Sequence, residues 1–465
     1  MKKVSFLMTT GLFIIIFAAI IWQWSAFLDK KGRIAESRRD TSIVATVKVE
    51  QNQLHVKQTF DGLDMDRQYH AVIPAQATEV KCTDGEGNPC YGGYEQLPKG
   101  EKMHFEFTIK SGPGLALLLN DWLIVLKDAT INKTRLEIID QYYSRGTWVA
   151  GVPLKGYKQT ELLHYYVFEG VNSTPSLYWQ DKSLIKLTGQ KGIDYYTTQK
   201  EQIIYEFDSL KFFSDKHLSV VITDGQRTVR GNGLLLAGNK LTDKELEQQL
   251  VLAYFSSKFG ADMGKENWIL EALASLVTKQ EPVNAKSRAM VEELVKTMTS
   301  EEITAFINYF SEESNLGGNT LDEYLSSIKG MNTNFFSMNS QKGPGVFPLL
   351  FKDARSVIVN GDEKNELAAV IKGDQYLFPL VPTMDALGYQ IKLGPEFTTL
   401  EISSASNTYY FNIKNKTFVH DGQSFGLLEN PFQNLNGEWY LEKHWLNAIF
   451  KVQVSENEER FILES

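Results

Sequence analysis

Few residues in this chain have the types and spacing of a catalytic site. The seven histidines are scattered, and none lies at metal-ligand spacing from another. The G-x-S-x-G elbow, the P-loop and the dinucleotide fingerprint do not occur. A net charge of −9, without a basic stripe interleaved with aromatic residues, gives no support for nucleic-acid binding. The sequence therefore predicts no cofactor, no metal ion and no nucleic-acid partner.

One carboxylate stands in a pattern with chemical meaning, Trp268-Ile269-Leu270-Glu271-Ala272-Leu273-Ala274. It belongs to the second of two helices predicted within 242–277. The first helix is predicted to begin at Thr242 or Asp243, both good N-caps, and to end at Gly260. Apolar residues repeat at helical spacing along both helices, so we expect a hairpin with one buried face.

This hairpin, with the strand-like segment 217–239 before it, resembles the core of a gluzincin-type metallopeptidase. In that family the first helix carries His-Glu-x-x-His, and the second supplies a zinc-binding Glu in Trp-x-x-Glu-Gly/Ala-x-Ala. Glu271 matches the second motif, and the spacing between the motifs is usual for the family. Where the first motif falls, however, the chain reads Gln248-Gln249-Leu250-Val251-Leu252.

These substitutions remove the groups that the family's chemistry needs. Catalytic zinc usually takes three protein ligands and a water that the metal makes acidic. Gln248 is a poor zinc ligand and Leu252 is none, while the amide of Gln249 cannot take a proton at neutral pH. The resemblance therefore implies a peptidase-like domain without catalytic residues. The simpler alternative is an amphipathic helical hairpin unrelated to peptidases.

The N-terminal segment predicts a membrane anchor. Lys2 and Lys3 precede a largely apolar run at 4–28, and about 20 such residues suffice to span a bilayer. The run ends in Trp-rich sequence rather than a small-x-small cleavage site, which favours an uncleaved anchor at 1–28 over a cleaved signal peptide. Residues 29–41 are then a juxtamembrane linker.

The orientation of this anchor follows from two conflicting indications. The basic residues in 30–39 would by themselves place the bulk of the chain in the cytoplasm. Long domains are translocated largely regardless of charge, however, and the cysteine usage suits an oxidising compartment. We therefore predict a single-pass protein of the cell membrane whose bulk is extracytoplasmic.

Residues 42–215 predict a β-rich, sandwich-like domain, because strand-like segments alternate with turn signals. Its cysteines, Cys82 and Cys90, bracket seven turn-forming residues and are predicted to form a disulfide; a zinc site would need two further ligands. The loop between them faintly resembles a calcium loop but lacks the 12-residue pattern. Aromatic residues at 164–168 and 176–179 fit either a binding face or core strands.

The rest of the chain predicts a helical gluzincin-like domain at 216–335, a linker at 336–352 and a module at 353–465. The module resembles the stalk-type domain named after the N-terminal region of copper amine oxidases. The resemblance rests on Asn360-Gly361, on Gly373-Asp374-Gln375-Tyr376-Leu377-Phe378-Pro379-Leu380 and on a second copy near Asp421-Gly422 and 436–449. The second copy departs from the first by replacing Pro-Leu with Glu442-Lys443. The family implies a non-catalytic module on exported bacterial proteins, with no copper site.

The expected fold is thus a multidomain α+β protein with an N-terminal transmembrane helix. The expected function is non-catalytic binding or scaffolding at the cell envelope, with a peptide, a cell-wall polymer or another envelope protein as partner. Two alternatives remain. One is an envelope hydrolase with an unconventional site, in which Glu271, Asp243 or Glu247 acts with groups of the β-rich domain. The other is a purely structural surface protein without a ligand.

Overall fold

The computed structural model describes residues 41–465 with short gaps. The gaps are 91–93, 95–96, 113, 128, 143–145, 190–191, 199–206, 214–215, 226, 264–265, 314, 342, 344, 365–366, 374 and 436. The predicted anchor at 1–28 and the linker up to residue 40 lie outside the described residues, as do Asp374 and Asn436 of the two repeats. Within the described part, no helix combines the length and the apolar character that a bilayer crossing needs.

The described chain divides into two compact units. The first contains the described residues of Met1–Glu206 and Phe213–Lys240, and the second contains Phe207–Phe212 and Leu241–Ser465. The chain is a multidomain α+β protein with a β-rich N-terminal region, a helical middle and a C-terminal module built mainly of strands. These features of the predicted fold class are confirmed.

The first unit is built around a large sheet in the strand order β10-β11-β8-β1-β2-β5-β4. Strand β1 pairs with β2 antiparallel and with β8 parallel. Alternate residues of β1, among them Ile43, Ala45 and Val47, are buried, so the period of two directs one face of the sheet to the core. Smaller sheets follow the orders β6-β12-β9 and β3-β7. The strands are β1 (Thr41–Glu50), β2 (Gln53–Asp61), β3 (His70–Val72), β4 (Ala77–Asp84), β5 (Lys102–Lys110), β6 (Ala116–Leu119), β7 (Val125–Lys127), β8 (Ile131–Asp140), β9 (Thr147–Ala150), β10 (Leu154–Gln159), β11 (His164–Gly170) and β12 (Leu177–Gln180).

A second sheet of this unit has the order β13-β14-β15-β17-β16. Its strands are β13 (Ile185–Thr188), β14 (Ile193–Thr197), β15 (Leu218–Thr223), β16 (Val229–Gly231) and β17 (Leu234–Gly238). Strands β14, β15 and β17 run parallel and are almost wholly buried, which explains why apolar and aromatic residues predominate in them. The aromatic residues of β12 are also buried. Of the two interpretations of 176–179, the structure therefore supports core strands.

Cys82 and Cys90 form a disulfide that closes the loop after β4. The Asp84 carboxylate accepts hydrogen bonds from the backbone N–H groups of Glu86 and Asn88, and the Asn88 side chain also donates to it. These bonds, led by the one from the Asn88 side chain, lower the pKa of Asp84. The carboxylate thus organises the loop's own backbone, as in an Asx turn.

We expect the double variant Cys82→Ser, Cys90→Ser to lose about 2 kcal/mol of stability in the first unit, because the bond restricts the unfolded chain. Thermal unfolding in the absence of reductant measures this loss. Added reductant should lower the melting temperature of the wild type and leave the variant unchanged. Equal melting temperatures for the two proteins would contradict the prediction.

The second unit begins with helices α1 (Asp243–Met263), α2 (Asn267–Thr278), α3 (Ala285–Thr297), α4 (Ser300–Glu312), α5 (Gly318–Lys329) and α6 (Phe335–Gln341). Helix α6 corrects only the first part of the predicted linker at 336–352, which is helical up to Gln341 and buries Phe336 and Asn339. Its first turn is held by Asp322 of α5, which accepts hydrogen bonds from the backbone N–H groups of Phe336 and Ser337. The linker prediction failed because this partner lies more than ten residues away in sequence.

The C-terminal module contains three sheets, counted over the described residues, with the orders β18-β21-β22-β29-β28, β20-β19-β31-β30 and β23-β24-β25-β26-β27. Its helices are α7 (Leu380–Ala386) and α8 (Lys443–Ala448). Its strands are β18 (Phe351–Lys352), β19 (Ser356–Val359), β20 (Asp362–Glu363), β21 (Val370–Lys372), β22 (Gln375–Pro379), β23 (Gln390–Leu393), β24 (Thr399–Ser403), β25 (Thr408–Asn412), β26 (Thr417–His420), β27 (Gln423–Gly426), β28 (Phe432–Leu435), β29 (Glu438–Glu442), β30 (Gln453–Glu456) and β31 (Arg460–Glu464).

The internal repeat predicted from the sequence is visible in this module. Strand β22 leads directly into α7, and β29 leads directly into α8; the two strands pair antiparallel. Asn360-Gly361 and Asp421-Gly422 have positive φ at both residues, as two-residue hairpin turns require. Strand β19 also pairs in parallel with β31, from Ser356 opposite Arg460 to Val359 opposite Leu463. The first and last long strands of the module are therefore neighbours.

Candidate functional site

Helix α1 begins with a capping box. The Thr242 backbone N–H donates to the Glu245 carboxylate at 2.8 Å, and the Glu245 N–H donates to the Thr242 hydroxyl at 3.3 Å. Thr242 is thus the N-cap, as predicted. The prediction that Gly260 ends the helix is wrong, since α1 continues to Met263. Phe255 and Phe259 are fully buried on the preceding turns, and this packing outweighs the roughly 1 kcal/mol that a helical glycine costs.

The peptidase-like positions on α1 are occupied by buried or engaged side chains. Gln248 is 8% exposed, and its Nε2 donates to the backbone oxygen of Glu281 at 3.1 Å. Leu252, one turn later on the same helix face, is 5% exposed. Gln249, which follows Gln248 in the sequence, is half-buried. The donor set of this helix does not fit zinc, because it contains no imidazole and its amide at 248 already has a protein partner.

Glu271 on α2 is engaged with the backbone just before α3. Its Oε1 accepts hydrogen bonds from the N–H groups of Val283 at 2.6 Å and of Asn284 at 3.0 Å. Asn284 is in turn the N-cap of α3, where its side chain accepts from Lys286 and Ser287. The carboxylate that would bind zinc in a peptidase thus fixes the start of the next helix.

Gln248 and Glu271 therefore hold the same short piece of chain from two different helices. We call residues 281–284 the bridge segment; Gln248 binds its first carbonyl and Glu271 binds its last two N–H groups. Two residues of chain span at most about 7 Å, so the two side-chain ends lie near each other. Positions that would share a metal ion in a zinc peptidase share a peptide segment here.

The described residues contain one group of three side chains that could offer ligand atoms to a metal, Glu429, Glu442 and His444. Their ligand atoms lie within 4.8 Å of one another, and His444 Nδ1 lies 3.0 Å from the Glu442 carboxylate. Glu429 and His444 are exposed. The group lies in the C-terminal module and includes none of the peptidase-like positions.

A serine, a histidine and an aspartate also meet in the first unit, and sequence reasoning did not find them. His217 Nε2 lies 3.0 Å from the Ser219 hydroxyl and 3.7 Å from the Asp194 carboxylate, which is paired with Lys186 at 2.7 Å. The available signal was the i, i+2 spacing of His217 and Ser219. Asp194 lies directly opposite Ser219 on the neighbouring strand.

This cluster does not have the geometry of a catalytic triad. Serine and aspartate both approach the same ring nitrogen, whereas a triad places them on opposite nitrogens. Ser219 is fully buried and donates its proton to the Ala150 carbonyl at 2.7 Å. Burial lowers the pKa of His217 to about 4, against the opposing effect of Asp194, so the ring is neutral at physiological pH.

Comparisons with known proteins bear on both ends of the chain. The M1 zinc metallopeptidase of Deinococcus radiodurans is similar with a TM-score of 0.48 and 9% sequence identity, covering 67% of this chain and 95% of that chain. A mutant of that enzyme bound to a Tyr-Ser-Ala substrate gives a TM-score of 0.49 and 9% identity, covering 67% and 96%. The comparison with curated proteins found no significant match.

The C-terminal module gives a match at the level of sequence. Residues 358–463 match the family model described as the copper amine oxidase N-terminal domain. This range includes both strand–helix repeats, β22 with α7 and β29 with α8, and both hairpin turns with positive φ. The segment 358–463 of this chain is therefore similar to the copper amine oxidase N-terminal domain, the resemblance that its repeated motif predicted.

Proposed function

We propose that the helical part of this chain is a peptidase-like frame without catalytic chemistry, and that the protein acts in binding or scaffolding at the bacterial cell envelope. The observation that carries this proposal is the bridge segment, residues 281–284, held by both Gln248 and Glu271. A functional zinc site would need these positions to present free donor atoms to a metal. Both are engaged with protein backbone instead.

The chemistry of the remaining positions supports the same conclusion. Leu252 has no donor atom, and the amide of Gln249 cannot act as the general base that activates a zinc-bound water. A single carboxylate does not hold catalytic zinc, which usually takes three protein ligands. A hydrolase built on Glu271 would also have to release the bridge segment before the carboxylate could contact a substrate.

The envelope location and the partners are further parts of this proposal. The apolar run at 4–28 supports a single membrane anchor, with the bulk of the chain outside the membrane. The Cys82–Cys90 disulfide supports an oxidising compartment, since such bonds rarely persist in the cytosol. A peptide, a cell-wall polymer or another envelope protein would be the partner.

The direct test uses the full-length protein purified in detergent. We expect no bound zinc by elemental analysis and no cleavage of a fluorogenic peptide library, with or without added zinc. A chelating agent should change neither result. Stoichiometric zinc, or peptide cleavage that 1,10-phenanthroline abolishes, would overturn the proposal.

A further inference from the structure

We propose that the outer face of the sheet β23-β24-β25-β26-β27 binds a neutral glycan, with the ring of Tyr410 as its stacking platform. The site lies in the C-terminal module. It goes beyond the proposed function, because a glycan site there does not depend on whether the helical part is catalytic. The register of the strands, the exposure of one aromatic ring and the charge of the face all support this site.

The strand register places Tyr410 at the centre of this face. Lys392, Glu401, Tyr410 and Val419 are successive cross-strand partners, so they form one row across the sheet. Tyr410 is 54% exposed, while its sequence neighbours Tyr409 and Phe411 are buried on the opposite face. The ring therefore stands on the solvent side of a rigid sheet whose other side is packed in the module's core.

The residues beside the ring are short and polar. Thr399, Asn412 and Thr417 are cross-strand partners in the adjacent row of the same face. Because these side chains are shorter than the tyrosine and the lysine, the face forms an open trough of about 580 Å³. This volume lies in the range of roughly 300–1,000 Å³ that is typical of ligand sites. An aromatic wall with hydroxyl and amide groups beside it provides apolar contact and hydrogen bonding at once.

The charge of the face selects among ligand classes. Lys392 and Glu401, the charged pair of the central row, lie 3.1 Å apart and neutralise each other. A polyanion such as a nucleic acid or a phosphate polymer would need several unpaired cations here. A protein partner would need a larger apolar centre than Tyr410 and Val419 provide. Sugar rings fit both features, since their C–H faces stack on aromatic rings and their hydroxyl groups are uncharged hydrogen-bonding partners.

The test is isothermal titration of the full-length protein with hexamers of N-acetylglucosamine and of glucose, in a detergent that contains no sugar. We expect Tyr410→Thr to weaken binding by about tenfold or more, and Tyr410→Phe, which keeps the ring, to change it little. Threonine preserves the strand preference of the position. Tyr309→Ala, at a tyrosine of α4 that is 47% exposed, is the matched control and should bind like the wild type.

A second variant keeps the test decisive if Tyr410→Thr melts at a lower temperature than the wild type. Val419→Glu adds a charge beside the ring at a position that is 37% exposed, and it should also weaken glycan binding. Absence of binding by the wild type to both hexamers, or equal affinity of wild type and both variants, would overturn the proposal. Binding of polyglutamate but of neither glycan would do so too. The outcome of the glycan titration is independent of the zinc and peptide-cleavage assays, so either proposal can be overturned without the other.

Discussion

Replacing Glu271 by alanine is expected to lower the free energy of unfolding of the second unit by about 1.5 kcal/mol. The carboxylate accepts two backbone hydrogen bonds, from Val283 and Asn284, at 2.6 and 3.0 Å. Hydrogen bonds to a charged group contribute about 1.5–3 kcal/mol, but both of these bonds are solvent-exposed, so water replaces part of the interaction that the variant loses at the start of α3. The metal content should not change.

Hydrogen exchange detects this effect at the bonds themselves. We expect the amides of Val283 and Asn284 to lose protection in Glu271→Ala. Glu271→Gln retains an uncharged acceptor and should lose less. Glu292→Ala changes an exposed carboxylate on the neighbouring helix α3 and is the matched control. Unchanged protection in Glu271→Ala, together with a loss of bound metal, would show that Glu271 serves a metal site.

Acidification is expected to destabilise the first unit by about 3 kcal/mol through His217 alone. The folded state lowers the pKa of this histidine from 6.5 to about 4, mainly by burial. Between these values the unfolded chain binds a proton that the folded chain does not, so stability is lost as the pH falls through this window. At about 1.4 kcal/mol for each unit of pKa, the whole difference gives this magnitude.

The charged groups around the ring define the control. Asp194 favours the protonated ring, while Lys186 and Lys155 oppose it. His217→Gln removes the titration and keeps an N–H that can donate to Ser219. Denaturant unfolding between neutral pH and about pH 4.5 should show the wild type losing about 2.5 kcal/mol more than this variant. His444→Gln, at an exposed histidine, should follow the wild type. Parallel pH profiles for wild type and His217→Gln would contradict the assignment.

Sequence reasoning succeeded where the physical cause is local. The capping box at Thr242 needs only residues three apart, and the Asn-Gly and Asp-Gly turns need only two residues with positive φ. The repeat of the C-terminal module was visible because both copies combine an Asn-Gly or Asp-Gly turn with a similar aromatic-rich strand. The two cysteines of the disulfide are only eight positions apart, so their pairing needs no contact with a distant part of the chain.

Prediction from sequence failed where a contact with a residue distant in the sequence determines the local structure. Gly260 was predicted to end α1, but the helix continues past it because Phe255 and Phe259 are buried. The sequence of α6 predicts a linker, but the segment is helical because Asp322 accepts a hydrogen bond from the N–H of Phe336 in its first turn. The sequence predicted no zinc ligands beside Glu271, but its actual partners at 283–284 depend on how the chain turns between α2 and α3. The contact of Gln248 with Glu281 has the same origin.

The parallel pairing of β19 with β31 has a mechanical consequence. Because the pairing is parallel, Ser356 at the start of β19 and Leu463 near the end of β31 lie at opposite ends of this strand pair. Tension between those two points would slide one strand along the other, so it would act on the evenly spaced hydrogen bonds of the ladder together rather than one after another. Such shear geometry resists extension better than an antiparallel hairpin pulled open at its ends. A pull applied at Ser356 and Leu463 would therefore load this strand pair in shear rather than peel it apart.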